Sequence, residues 1–432
     1  MDSLQYVNPD YQNEVAASMV RVASPQLIAA MTQVQQLPTA VWLDRIDAIK
    51  GGQRNHGRLS LESHLEQALA QQRQKKRPVV VPLVIYNLPN RDCAAFSSNG
   101  SLDAHHGGLE QYKHRYIDTI AAVVAQPRFA SLRIVMILEP DSLPNMVTNL
   151  DHPICQWVAD QQVYARGIQY AIKRFRRLDN SYLYLDIAHS GWLGWPDARQ
   201  RAVSYYRTVI LGAKDDQGLE AIDGFVTNIS GATPVEEIWL PYADQLVGDQ
   251  PVKSADFYGW NPLFDEKDYV EQLYDDFIAA GFPRKIRFLI DTSRNGWGGD
   301  ARPLAVSSLS SSELNRSLLN EYVDASRIDQ RSHRGYWCNP KGAGLGARPV
   351  SNPYGADHPV AAFVWVKPPG ESDGTSDATQ QAEDAEGKRY DQTCDPNFTD
   401  AMANAPAAGH WFHEQFLQLI QNAEPPLVQK SE

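Results

Sequence analysis

Asp92, Asp141 and Asp373 each stand just past an apolar run, in the stretches VVVPLVIYNLPNRDC (79–93), LRIVMILEPDSLPNMVTN (132–149) and AAFVWVKPPGESD (361–373). Carboxyls so placed can move protons. An unperturbed aspartic acid titrates at about 3.9 and is ionised at neutral pH, and a second carboxylate close by is the usual device for keeping one protonated so that it can donate. Asp92 is placed to do that for Asp141. Hydrolysis of a glycosidic bond uses such an acid together with a second carboxylate serving as base or nucleophile. Pro140 fixes its own φ and is expected to hold Glu139 extended, leaving Asp141 on a stiff turn. The plainer reading makes Asp141 the cap of a short helix, helped by Ser142 and Asn145. The absence of a G-x-S-x-G elbow disfavours acyl transfer. His105-His106 and His189 offer ring nitrogens, but adjacent histidines face different ways, so no metal site is expected.

The run from Leu132 to Leu138 reads as a strand buried on both faces, the kind that parallel sheets contain. YLYLDIAH (182–189) delivers Asp186 and His189 in the same manner, and the run at 361–373 also delivers Lys367 and Glu371. Apolar runs that end repeatedly in ionisable groups are the pattern of a barrel whose site lies at the carboxyl ends of its strands. Three further strands are read at 39–45, ending in Trp42, Asp44 and Arg45, at 223–230 and at 285–291, making seven in all. Helices are expected at 13–35 with a break at Ser24-Pro25, and at 61–74, 108–126, 156–177, 202–214, 267–280 and 410–423. The alternation predicts an α/β fold, a seven-stranded parallel (β/α) barrel, in a single domain spanning 1–432, with an N-terminal helical segment at 1–36 and the barrel at 37–430. An open doubly wound sheet is the competing fold, but no GxGxxG or GxxxxGKS follows any strand.

A net charge of −12 argues against nucleic acid or an anionic membrane as partner. No run of about 18 apolar residues predicts a transmembrane helix, and the start, MDSLQYVNPDY, reads as no signal peptide. Ten Trp and 19 Tyr offer flat faces suited to sugar rings, although most tryptophans fill cores and interfaces. Two long connections, 294–360 and 368–409, exceed the usual loop length and are expected to be lids or binding loops. Cys93, Cys155, Cys338 and Cys394 form no CxxC pair, and suit either two disulfides, with three pairings open, or four free thiols.

YNLPNRDCAAFSSNG (86–100), ILEPDSLPNMVTN (137–149), LDIAHSGWLGWP (185–196) and WVKPPGESDGTSD (365–377) resemble the signature segments of glycoside hydrolase family six, the cellulases that invert anomeric configuration. The resemblance runs from VWLDRID at 41–47 to HWFHEQF at 410–416. It implies a distorted TIM-like barrel with its site roofed by long loops. It also implies that Asp141 is the general acid, Asp92, preceded by Arg91, the partner that raises its pKa, and Asp373 the base, directly or through water. Tyr86 then crowds the distorted sugar, and Ser98 belongs to the loop that positions water. Trp42, Trp192, Trp195 and Trp337 would be stacking platforms, with Asp44, His189, Lys367, Glu371 and, more weakly, Asn228 binding sugar. The implied disulfides are Cys93 with Cys155 and Cys338 with Cys394. Gly231 stands where some members carry Asn, and Ser372 where some carry Cys. The long segment from Pro368 to Gly409 resembles the exo-acting bacterial type, implying cellobiose release from non-reducing ends of cellulose or cello-oligosaccharide chains. No cofactor is expected, and the protein is expected to be secreted, extracellular or periplasmic, and monomeric. An endo-acting glucanase of the same family, and a silent polysaccharide-binding protein, are the alternatives; the three retained acids argue against the latter.

Overall fold

Valine, isoleucine and leucine dominate the strand runs, and the pleat sends alternate residues to opposite faces. In the computed structural model, which describes residues 3–309 and 316–427, this alternation builds two apolar layers. The ends of the expected single domain, and residues 310–315 of its first long connection, lie outside the described residues. Apart from a small antiparallel pair, Leu246–Val247 with Gln250–Pro251, the strands form one sheet: β1 (Leu4–Gln5), β2 (Val41–Leu43), β3 (Val79–Ile85), β4 (Arg133–Leu138), β5 (Ser181–Asp186), β6 (Gly224–Thr227), β7 (Arg287–Asp291), β8 (Val350–Ser351) and β9 (Val360–Val364). Their order is β1-β3-β4-β5-β6-β7-β9-β8, with β2 beside the carboxyl half of β3 and β1 beside its amino half. All pair in parallel except β8 with β9. The seven strands expected from the sequence are β2 to β7 and β9; β1 and β8 are short additions at the edges.

The sheet curls into a half-barrel whose free edges approach each other. Ala40 N–H donates to Trp365 O at 3.1 Å, and the Trp42 indole donates to Val366 O at 2.8 Å. Inside the curl, Val84, Ile137, Val226 and Leu289 form one cluster. Outside it, Leu83, Ile85, Met136, Leu138, Leu185 and Phe288 pack beneath the helices. Continued past the strands, the inner register carries Tyr86, Asp186 and Asp291 to the mouth.

The N-terminal helices are Pro9–Met19 and Pro25–Val34, the second capped by Ser24, whose hydroxyl accepts Leu27 N–H at 3.3 Å. The helix expected at 156–177 is two, Pro153–Asp160 and Val163–Phe175, divided at Gln162, where φ is +53°. The one expected at 202–214 begins earlier, as Pro196–Gly212, because Pro196 suits a first helical turn. The short helix of the plainer reading at Asp141 is present as Ser142–Thr148, while Arg316–Ser326 went unread within a connection. Both expected disulfides form, Cys93–Cys155 and Cys338–Cys394. No helix among the described residues is long and apolar enough to cross a membrane.

Phe225 of β6, fully buried, stacks on Phe277 at 4.1 Å between ring centroids, with Phe282 and Phe288 at 6.0 and 5.5 Å. This aromatic block joins sheet to helix. Phe225→Ala should therefore destabilise the fold by about 3–5 kcal/mol, read as a lowered denaturant midpoint at unchanged slope; a loss of less than half that would show that the cluster collapses to fill the gap.

Candidate active site

After β3, β4, β5 and β6 the chain bends sharply. Asp92, Glu139, Asp141, Ala188 and Asn228 have φ of +52°, +49°, +63°, +54° and +67°, and non-glycine residues hold such settings only where their surroundings fix them. Glu139 corrects the expectation of an extended residue before Pro140. Its carboxylate turns back to accept Asn87 N–H and Leu88 N–H at 3.1 and 3.2 Å and the Tyr112 hydroxyl at 2.8 Å, which an extended backbone would not allow. Tyr112 comes from a π turn, Tyr112–Ile117, that interrupts the expected helix at 108–126. The same turn supplies Tyr116, whose hydroxyl accepts Tyr86 N–H at 3.0 Å and donates to Leu43 O.

Asp141 precedes the helix Ser142–Thr148 but its side chain makes no capping bond. Its own N–H donates to Asp186 Oδ2 at 2.9 Å, and its Oδ1 accepts the Ser230 hydroxyl. Burial pushes the Asp141 carboxyl well above the usual carboxylate range, the negative charge of Asp186 adds to this, and Asp92 and Asp373 contribute after it. Burial also pushes Asp186 up to about 7, against the N–H bonds from Asp141 and Ala188. Asp186 thus weighs more on the acid than Asp92, the neighbour expected from the sequence. Asp92 is itself raised by burial, opposed by bonds from the Tyr86 and Ser98 hydroxyls.

Arg91 spends its donors on main-chain carbonyls: those of Asp44 and Tyr86, Ser98 O at 2.9 Å and Asn99 O at 3.3 Å. Its guanidinium lies 4.1 Å from the Tyr86 ring centroid. That makes it a clamp between the loops after β2 and β3 rather than a group free for a reacting atom.

Asp373 is a different kind of acid. Arg294 Nη1 meets both its oxygens at 2.7 Å, Lys367 Nζ lies 3.2 Å away and Asn339 N–H donates at 2.8 Å. Burial alone would raise its pKa, but the charges of Arg294 and Lys367 outweigh it and hold Asp373 below the usual range. Asp44 behaves likewise, burial being overcome by Lys388 and Arg45. His189 is driven well below its ordinary value by burial and then by Arg331 and Arg334, so its ring is neutral. Glu371 accepts Arg58 Nη2 at 3.0 Å.

These groups line one cavity of about 430 Å³. Asp92, Asp141 and Asp373 meet there, with Tyr86, Arg91, Ser98, Asp44, His189, Lys367 and Glu371, and so do the indoles of Trp42, Trp192, Trp195 and Trp337. Asn228 does not line it. Its amide is spent on Thr233 O and Asp291 O, both at 3.0 Å, and braces the turn after β6. The loop after β3 and the loop after β9, which contribute Ala94, Ala95 and Ser98, and Lys388, Ala408 and Gly409, to the cavity wall, join: Arg389 N–H donates to Phe96 O, Phe96 N–H to Asp391 Oδ2 at 2.7 Å, and the Arg389 guanidinium lies 4.0 Å from the Phe96 ring centroid.

Sequence reasoning noted Asp186 without giving it a role, and missed Ser230, Arg294, Arg58 and Lys388. Ser230 closes the strand run read at 223–230 and Arg294 stands three residues past Asp291, so the strand-end rule applied to polar as well as acidic residues would have found both. Among the described residues, His56, Glu386 and His410 bring potential metal-ligand atoms within 4.8 Å of one another. Glu386 there is already paired with His56, Arg45 and Lys388 at 2.8, 3.0 and 2.7 Å.

Fold and site together define an α/β half-barrel protein whose working groups gather beside joined loops at the strands' carboxyl ends. The sequence pattern of glycosyl hydrolases family 6 matches residues 1–423, and the chain belongs to that family. It is 45% identical over 435 residues to exoglucanase A of Cellulomonas fimi, covering 98% of this chain and 48% of that protein, so it spans about half of that relative's length. It is 33% identical to 1,4-beta-D-glucan cellobiohydrolase C of Emericella nidulans, covering 97% of this chain and 77% of that one. The structure resembles the catalytic domain of Cellulomonas fimi Cel6B with a TM-score of 0.91 and 43% identity, over 100% of this chain and 96% of that one.

Asp373→Asn would leave the Arg294 charge buried without its counter-ion, at a cost of about 3–5 kcal/mol at pH 7. Because the folded pKa of Asp373 is depressed, its contribution is present above the unfolded value of about 3.9 and is lost as pH falls through the folded one. The stability gap between wild type and variant, measured by urea unfolding, should therefore shrink below about pH 4; a gap as wide at pH 3 as at pH 7 would disprove the pairing.

Proposed function

We propose that the chain hydrolyses β-1,4-glucosidic bonds of cellulose with inversion, releasing cellobiose from non-reducing chain ends. The observation that carries this reading is the setting of Asp141: a carboxyl on a strained turn in the cavity wall, its pKa pushed well above the usual carboxylate range by burial and then by the charge of Asp186, with Ser230 on one oxygen and the other left for a proton. Such a group is a general acid poised for a leaving glycosidic oxygen. Asp92, under the Tyr86 hydroxyl, adds negative potential that raises the acid and steadies the positive charge developing on the sugar. Tyr86, edge-on to Trp42 at 5.3 Å, crowds the ring at the cleavage point. Ser98, on the loop that Arg91 clamps, positions the attacking water.

Asp373 receives the water's proton through further water, since direct contact would compete with Arg294 on both oxygens. A carboxylate so paired is also a poor nucleophile, which favours one displacement by water, hence inversion, over a covalent intermediate. Trp42, Trp192, Trp195 and Trp337 stack on successive glucosyl rings, while Asp44, neutral His189, Lys367 and Glu371 bond hydroxyls. The joined loops after β3 and β9 support threading of a chain end over closure on the middle of a chain, and the exo-acting names of the two relatives point the same way. The chain acts as a monomeric, secreted enzyme with residues 1–432 as one catalytic domain.

Asp141→Asn should lower kcat by about 10²- to 10⁴-fold while a cello-oligosaccharide still binds in an equilibrium titration; unchanged turnover would refute the acid. On carboxymethylcellulose, viscosity should fall slowly relative to the appearance of reducing ends, and rapid thinning with few new ends would overturn the exo assignment.

A further inference from the structure

Trp260 turns its indole to solvent, 58% exposed, from a backbone at φ +68°. Apolar residues standing singly on a surface are ordinary, but a bulky residue at positive φ is an outlier that its surroundings must impose. Here they do so from three directions. Trp260 N–H donates to Lys253 O at 2.7 Å and Gly259 N–H to Ala255 O at 2.8 Å. Asn261, fully buried, donates to Ser190 O at 2.8 Å and accepts Leu263 N–H at 2.9 Å. Gly259 O, in turn, accepts the indole N–H of Trp195 at 2.8 Å.

The last bond ties this turn to the cavity. Trp192, held by the Thr148 hydroxyl at 2.7 Å, and Trp195, held by Gly259, are half-buried and line it. Trp260 follows directly on the residue that holds Trp195, lies outside the cavity lining, and is the most open of the three. We propose that Trp260 is a further stacking platform, continuing the line of Trp192 and Trp195 beyond the cavity and receiving a stretch of β-1,4-glucan that extends out of it. The inference rests on the glucan reading above. A rigid indole presents a broad apolar face at little entropic cost, and the apolar face of a glucosyl ring matches it while the hydroxyls at the ring edge stay in water. A platform outside the cavity acts on long chains and not on those that end within it.

Trp260→Gly removes the indole and suits the left-handed backbone, and Trp260→Tyr keeps a flat ring. Partition onto insoluble cellulose should weaken by roughly three- to tenfold in the glycine variant and recover with tyrosine. Binding and turnover of cellotetraose should stay at the wild-type level, and the thermal midpoint should not fall. Cellulose binding equal to wild type in Trp260→Gly would overturn the proposal, and so would an equal loss on cellulose and cellotetraose, which would mark a merely structural role. A wild-type protein that binds both glucans but cleaves neither sinks the catalytic reading while the binding comparison still decides Trp260; one that binds neither glucan sinks both.

Discussion

An ionised carboxyl that leaves water must be paired, hydrogen-bonded or neutralised, and the mouth of this half-barrel is ordered by that rule. Asp373 is paired, with Arg294 and Lys367. Glu139 is hydrogen-bonded, by two main-chain N–H groups and Tyr112, although burial still lifts it to about 7. Asp141 lacks a cation and is held protonated. The acids are alike in sequence and differ only in what surrounds them, so their chemical roles are set by the loops that deliver their partners.

That delivery explains the cluster of left-handed residues. A strand run straight into a helix would point its last side chain along the sheet register. The turns at Glu139 and Asp141 instead send one carboxylate back to the loop after β3 and hold the other against Asp186 and Ser230. Each such setting costs on the order of 1–3 kcal/mol, which the surrounding structure must offset. The outer layer offsets it: the π turn that aims Tyr112 and Tyr116 sits on a helix packed in the main apolar cluster, so the strain is supported by burial on the far side of the sheet.

Local pattern carried much of this. The seven strands were legible because buried parallel strands are runs of β-branched and aliphatic residues, and the three aspartates because an acid at the end of such a run has few bland uses. Partners were less legible. Asp186 reaches Asp141 across a register of adjacent strands, and Arg294 reaches Asp373 across 79 residues of chain; neither closeness has a local signal. Asn228 shows the converse, since a strand-end amide reads the same whether it faces a ligand or braces its own turn. Glu139 was misread because the rule for residues before proline weighs sterics alone, while here three donors outweigh them.

The division between local and long-range information also accounts for the disulfides. The loops after β3 and β9 are long, and much of what they bury is polar, Asn87, Arg91 and Ser97 in the first and Ser372, Lys388 and Asp391 in the second, so ordering them costs entropy that apolar burial alone does not offset. Cys93–Cys155 fastens the first to the helix Pro153–Asp160, and Cys338–Cys394 fastens the second to the segment that carries Trp337. Phe96 lies three residues past Cys93 and Asp391 three before Cys394, so each disulfide anchors its loop beside the point where the two loops join.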